Sequence, residues 1–478
     1  MATEIQAKVI SAVNEGDISR LRELSLLPGG FGDARTVAWP YLLQARSSSS
    51  TLTPAPEAIA SSSTTTVAST ITSPIASSSS PPLSYDDEPH QDESQIKLDT
   101  DRSFVLYPSL HDTKKDLLKS RLNRLITRVL RKRRKLAYVQ GYHDVLAVLQ
   151  LTLCPGQEPS EEDEMMLERC AERISLFRFR DAMGRGLEPL LGLLRVLRRL
   201  LRLADPAYAA LIEQTTPLPY YALSNLLTLF AHDVPTLPLI QHIWDFLLSR
   251  EPVWVVYLCA ALILERKEEL LQRVREDGDE GVLYVLLSGL PPLVDSDSLP
   301  CSSESDDDNP PLTPSSSASL PPYTPGSSSS LTPRSPPLLL PHLLHRTEAL
   351  YVTFPPSHPG LKLEDTLGPA SVHRAPWPPE LTEDEAEVVV TRPSDIVLSL
   401  DEDEEPALEE LKGAPSSKGR RTREQEMRTL MAVLVVGAGV MIAIYTAEGG
   451  MRAVDWLGLA RVAVGVVREG AGRLARGA

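Results

Sequence analysis

Leu118, Leu122, Leu125, Ile126 and Val129 recur at steps of three and four among lysines and arginines, a spacing that lays one apolar stripe along a helix. Met166, Cys170, Ile174 and Phe177 repeat in the same way behind Ser160 and Asp163, which pair as a capping box and start the helix there. Further apolar runs over 187–203, 220–230, 239–248 and 253–271 are parted by Pro206, Pro217, Pro235 and Pro252. Prolines suit helix starts and breaks because they carry no amide hydrogen. No stretch alternates polar and apolar residues for long enough to predict a sheet. The pattern predicts an all-α fold, with a helical segment over 1–29 and one multi-helix domain over 30–357.

Two segments interrupt that domain. Residues 47–94 and 295–341 are rich in serine, threonine and proline, and the second holds an acidic run at 304–308. Such compositions bury too little apolar surface to offset the entropy of ordering, so both read as disordered insertions. Residues 358–428 mix prolines with the acidic cluster 401–405 and end in basic residues, which predicts a disordered linker. The run from Thr429 to Ala447 then holds 19 residues without a charge. As a helix it would be about 28 Å long, close to the ~30 Å hydrocarbon core of a bilayer. The basic residues Lys418, Arg420, Arg421, Arg423 and Arg428 precede it, as on a cytoplasmic flank, so 429–447 reads as one C-terminal transmembrane helix, against a packed core helix as the competing reading. Within the tail 448–478, the run 453–467 is apolar but broken by Asp455 and Arg461, and is expected to lie in the interface or return as a hairpin. Residues 1–16 carry Glu4 and Glu15 and no apolar run, so no secretory signal is expected and the bulk of the chain is placed in the cytosol.

Composition narrows the function. A net charge of −16 argues against coating nucleic acid. The basic helix over 113–135 has leucines on one face and no interleaved aromatics to stack on bases, so it reads as a solvated helix face. Cys154, Cys170, Cys259 and Cys301 form no Cys-x-x-Cys pair, which leaves neither a disulfide framework nor a cysteine zinc site. The histidines fall in no metal-ligand spacing. Neither Gly-x-Ser-x-Gly nor a phosphate-binding glycine loop occurs, so no independent nucleotide hydrolysis is expected.

Two short polar segments remain. In 96–104, Asp99 and Arg102 stand at i and i+3, where the carboxylate can hold the guanidinium. In 138–144, Gln140 precedes Gly141 at a predicted helix start. Taken singly, a salt bridge within a helix and a helix cap explain them. Together, Ile96-x-x-Asp99-x-x-Arg102 and Tyr138-x-Gln140-Gly141 resemble the paired finger motifs of TBC domains, the GTPase-activating domains for Rab proteins. Arg35-Thr36-Val37-Ala38-Trp39-Pro40-x-Leu42-Leu43 resembles the opening tryptophan segment of that family, and Ile243-Trp244-Asp245-Phe246-Leu247-Leu248 its late Trp-Asp helix. The string from Tyr138 to Asp144, the segment 257–271, Phe354-Pro355-Pro356-Ser357 and the apolar C-terminal run are similar to the endoplasmic-reticulum-anchored branch found in fungi and animals. The insertion 47–94 departs from the family pattern by separating the Trp39 segment from the arginine motif.

The resemblance implies a chemistry. Hydrolysis of GTP spreads negative charge over the γ-phosphoryl, and an arginine supplied in trans is worth about 10³–10⁵ in rate. Arg102 would be that finger, and Gln140 would replace the GTPase's own water-positioning glutamine. Asp99 would orient Arg102, Tyr138 would brace the glutamine loop, and Gly141 and Asp144 complete the motif as supporting residues. The implied partners are a GTP-bound Rab/Ypt small GTPase of endoplasmic-reticulum-to-Golgi traffic and a membrane. No cofactor of the chain's own is implied, since GTP and Mg²⁺ are carried by the Rab. The implied location is the endoplasmic-reticulum membrane or early Golgi, with the catalytic domain facing the cytosol. A catalytically silent TBC-type adaptor or membrane scaffold is the competing reading; the presence of both Arg102 and Gln140 argues against it.

Overall fold

The computed structural model describes residues 2–46, 88–104, 112–156, 159–216, 218–277, 282–295 and 337–398. Before the first gap the chain forms α1 (Ala2–Glu15), α2 (Ile18–Leu24) and α3 (Arg35–Leu42). It resumes with α4 (Glu93–Asp101), α5 (Asp112–Lys132), α6 (Tyr142–Leu153) and α7 (Glu161–Ile174), then α8 (Glu188–Ala204), α9 (Pro206–Glu213) and α10 (Leu223–Thr228). Next come α11 (Leu237–Leu248), α12 (Trp254–Glu265), α13 (Lys267–Asp277) and α14 (Val282–Ser288). The remainder is β1 (Leu293–Val294), β2 (Leu338–Leu339), α15 (Leu340–Thr353), α16 (Leu363–Thr366), α17 (Glu383–Val389) and α18 (Pro393–Ile396). The described chain is thus mostly helical, as its periodicity predicts, and its two strands pair in parallel, Leu293 with Leu338 and Val294 with Leu339.

Helix α7 starts where the sequence marks it, whereas the run 253–271 is divided at Arg266 between α12 and α13. Ser160 Oγ accepts the Asp163 amide and Asp163 Oδ2 accepts the Ser160 amide, each at 3.2 Å, so the capping box closes and α7 begins. The centre of the body is α12, whose residues from Trp254 to Ile263 are all buried. A helix that is apolar all round belongs in a core, and α8, α10, α13 and α15 pack around this one.

The basic α5 owes its charge pattern to its neighbour. Arg124, Arg128 and Lys132 meet Glu164, Glu168 and Glu172 of α7 at 3.1, 3.2 and 2.7 Å. Both triplets advance by four residues, so the two helices face each other through a ladder of opposite charge. The two pairs at Glu164 and Glu168 are more exposed, and such pairs contribute only about 0–1 kcal/mol each, whereas Glu172 is buried; the ladder matches part of the basic face.

Several boundaries differ from those the sequence predicts. Residues 1–29 share the domain's core, because Val9, Leu21 and Leu24 are buried in the same cluster as Trp39. Residues 88–94, expected within the first insertion, are folded: His90 is buried, and Glu93 accepts the Arg131 guanidinium at 2.7 Å. At the end of the second insertion, residues 337–341 form β2 and start α15, with Leu340 fully buried. The largest difference is 359–398, expected as linker. Leu361, Leu363, Leu367, Ala386 and Val390 join the main core, and Arg199 of α8 donates to Thr366. A scatter of single apolar residues between prolines has no helical period, yet each finds a site on the surface of α8 and its surroundings. Among the described residues no helix is long and apolar enough to cross a membrane. The predicted span 429–447, the tail 448–478, and the parts 47–87 and 296–336 of the insertions lie outside the described residues.

Candidate functional site

Asp99 sits in the last turn of α4 with its carboxylate almost wholly buried. Oδ1 accepts Arg102 Nη2 at 2.5 Å and Gln95 Nε2 at 3.0 Å, while Oδ2 accepts the Tyr138 hydroxyl at 2.8 Å. One carboxylate thereby ties the arginine segment to the glutamine segment, 39 residues further along the chain. Arg102 occupies the C-cap of α4, where the chain leaves the helix (φ −99°, ψ 5°). Its side chain is 56 % exposed against 1 % for Asp99, so a fixed base carries a guanidinium out to the surface. Such a group is held in orientation yet keeps donors for an anionic partner.

The glutamine loop is shaped by its neighbour Gly141. That residue is the N-cap of α6 with φ +96°, and a Cβ there would lie 2.7 Å from Thr228 Cγ2 of α10. Both the left-handed backbone and the close approach require glycine. Gln140, immediately before it, is partly exposed, and among the described residues nothing hydrogen-bonds its side-chain amide. Behind it the loop is fastened through the Tyr138 amide, which donates to Asp92 Oδ2 at 2.9 Å, and the Ala137 amide, which donates to Met183 O at 2.8 Å. Burial, and next the Asp99 charge, push the Tyr138 phenol well above its usual range, so it remains a neutral donor.

Beside the loop lies a second charged group. Asp144 Oδ2 is 2.7 Å from His232 Nδ1, and its Oδ1 is 3.4 Å from His143 Nε2. The hydrogen bond to Asp144 raises His232 from 6.5 to about 9, so it is cationic at neutral pH. Burial acts to raise the Asp144 carboxyl, but His143 and His232 outweigh it and hold the group below its usual value. His143 Nδ1 is also 3.1 Å from the Tyr138 hydroxyl. His143 therefore bridges the Asp99 and Asp144 centres. His232 stands 88 residues from Asp144, and no local spacing connects the two. Among the described residues no group of histidines, cysteines and carboxylates could hold a metal ion.

The tryptophan segments also meet, away from any exposed group. Asp245 is fully buried and accepts Trp39 Nε1 at 2.8 Å, the Phe31 amide at 2.8 Å and Arg35 Nε at 2.9 Å. The Trp39 and Trp244 rings lie 5.4 Å apart. Their role is to lock α3 against α11.

The family model of the Rab-GTPase-TBC domain matches residues 33–271. Similar proteins include the GTPase-activating protein gyp10 of Schizosaccharomyces pombe, 28 % identical over 210 residues, which covers 44 % of this chain and 54 % of that protein. The GTPase-activating protein GYP8 of Saccharomyces cerevisiae is 29 % identical over 215 residues, 40 % of this chain and 42 % of its own. TBC1 domain family member 20 of Mus musculus is 24 % identical over 292 residues, 60 % of this chain and 62 % of its own. The chain thus spans about half the length of these relatives. Since the family match covers half of the 478 residues and takes in both polar segments, the protein belongs to the Rab-GTPase-TBC domain family.

Proposed function

We propose that the chain accelerates GTP hydrolysis by a Rab small GTPase, with Arg102 and Gln140 supplied in trans. The observation that carries this reading is the double role of Asp99, which holds the exposed Arg102 and Tyr138, two residues before Gln140, in one network. An arginine held through one guanidinium nitrogen while its side chain stays more than half exposed suits a group that must meet charge developing on a γ-phosphoryl. The uncommitted amide of Gln140 suits a group that orients a water. Family membership and the names of the two yeast relatives, both GTPase-activating proteins, support the same activity. GTP and Mg²⁺ belong to the Rab and ask nothing further of this chain.

The preferred Rab on this reading is one that governs traffic from the endoplasmic reticulum to the Golgi, and the chain acts on that membrane through 429–447, with its helical body in the cytosol. The support is the resemblance of the string from Tyr138 to Asp144 and the uncharged run of 19 residues. Tethering enzyme and lipid-held substrate to one surface raises their effective concentration without new contacts. The test is phosphate release from a panel of GTP-loaded Rabs mixed with the protein. Acceleration of one member or a small subset is expected, and an entire panel left at its intrinsic rate would remove the reading.

A further inference from the structure

The segment 359–398 lies beyond the family match, and its helix α17 reaches the loop that carries Gln140. Thr382 and Glu385 form a capping box that starts α17, with mutual bonds of 3.3 and 2.9 Å, and Ala386 is buried against the body. Glu383, Asp384 and Glu387 then fall on one face. All three meet Arg133, whose side chain is only 7 % exposed. Its Nη2 donates to Glu383 Oε2 at 2.8 Å, and its Nη1 to Asp384 Oδ1 at 2.6 Å and Glu387 Oε2 at 3.3 Å. Its Nε donates to Glu172 Oε1 of α7 at 2.5 Å. The other oxygen of Glu387 accepts the Lys135 amide at 3.0 Å.

The same segment grips the other side of the loop. The Arg178 guanidinium stacks 3.8 Å from the Trp377 ring, Asp181 accepts Ser371 Oγ at 2.7 Å, and Arg180 donates to Ala370 O at 2.7 Å. Met183, two residues after Asp181, supplies the carbonyl that holds the Ala137 amide. The chain from Arg133 to Gly141 is therefore anchored at Lys135, Ala137, Tyr138 and Gly141, and the first anchor is Glu387 of α17. Asp384 is 91 % exposed and adds little, since exposed pairs are weak. Glu387 is 13 % exposed and bonds both a side chain and a backbone amide.

We propose that α17 is a positioning element for the Gln140 loop, acting through the bonds of Glu387 to Arg133 and the Lys135 amide. It rests on the reading of Gln140 as a finger. Acceleration of Rab GTP hydrolysis by this chain then depends on a segment outside the matched domain.

The test uses Glu387→Ala and Glu387→Gln in the full-length chain, since removing the whole segment would uncover core leucines. Gln keeps a carbonyl acceptor of the same reach, and Ala keeps none. Glu387→Ala is expected to speed amide hydrogen exchange in residues 134–141 with little change in melting temperature. Turnover of GTP-loaded Rab should fall by about ten- to a hundredfold, as loosened positioning does, with KM unchanged, and Glu387→Gln should restore most of it. Unchanged exchange over 134–141, or a rate loss matched by a rise in KM, would overturn the proposal. If the wild-type protein accelerates no Rab, the functional reading falls, whereas the exchange measurement still decides whether α17 orders the loop.

Discussion

Replacing Asp99 by Asn keeps the size of the side chain and removes one acceptor and the charge. Three donors converge on the carboxylate: Arg102 Nη2, Gln95 Nε2 and the Tyr138 hydroxyl. An asparagine oxygen left facing Arg102 and Gln95 turns its NH₂ toward Tyr138. That hydroxyl can respond, because His143 Nδ1 lies 3.1 Å away and can accept its hydrogen bond, leaving the phenol oxygen to accept from the new NH₂. The buried polar count then stays closed, and stability should drop by only about 1–2 kcal/mol, the loss of a charge-assisted bond to a half-exposed guanidinium. Orientation suffers more. Without the charge, Arg102 keeps one neutral bond and samples other rotamers, so the acceleration should fall by about ten- to a hundredfold. Arg102→Ala removes the guanidinium itself and should cost about a thousandfold or more. The assay is single-turnover phosphate release from a GTP-loaded Rab at saturating activator, with thermal unfolding of each variant alongside. If Asp99→Asn is as slow as Arg102→Ala while still folded, Asp99 does more than orient the arginine. If it matches the wild type, the Asp99–Arg102 pair does not orient the arginine and the reasoning is wrong.

Further outcomes follow from the same site. Gln140→Ala should abolish acceleration, whereas a Rab whose own glutamine is changed to Leu should still be accelerated by the wild-type chain; a wholly insensitive Rab variant would exclude a glutamine supplied in trans. His232 titrates at about 9 in the folded state against 6.5 ordinarily. Its pairing with Asp144 thus stabilises fully below pH 6.5 and is lost as pH rises through about 9. Melting temperature should therefore decline across that window in the wild type and less so in His232→Gln, and parallel curves would count against the pair. Deleting Leu430 to Tyr445 should move the protein from the carbonate-resistant membrane pellet to the supernatant while leaving turnover of soluble Rab unchanged, and a full-length protein already extracted by carbonate would remove the anchor.

What the sequence reveals is what lies close along it. The Asp99–Arg102 pair spans three residues and one helix turn, and the Ser160 capping box is equally local, so spacing alone indicates both. The bond from Tyr138 to Asp99 has no such signature, and its two motifs came together only through their resemblance to a family. His232 escaped notice as a partner of Asp144 because a histidine's role depends on a contact 88 residues away. The segment 359–398 reads as linker for a related reason. Its prolines and carboxylates look like linker when each carboxylate is assumed to face water, but Glu387 faces Arg133, 254 residues distant. The basic run of α5 posed the same problem in reverse, its excess charge being matched by α7 rather than by a ligand.

The pairing of β1 with β2 sets Val294 beside Leu339, so the two chain ends that flank 296–336 are spliced side by side at the rim of the helical body. A splice of this kind fixes the distance between the two ends whatever length of chain joins them. The cost of closing a loop grows only with the logarithm of its length, about 0.6 kcal/mol for each doubling, and here the closure is made by a ladder and by the Leu338 amide on Pro292 O at 2.8 Å. A change in the length of this stretch therefore leaves its two flanking ends held by the same pairing. An epitope or a fluorescent reporter can be grafted at the same place, far along the chain from both Arg102 and Gln140.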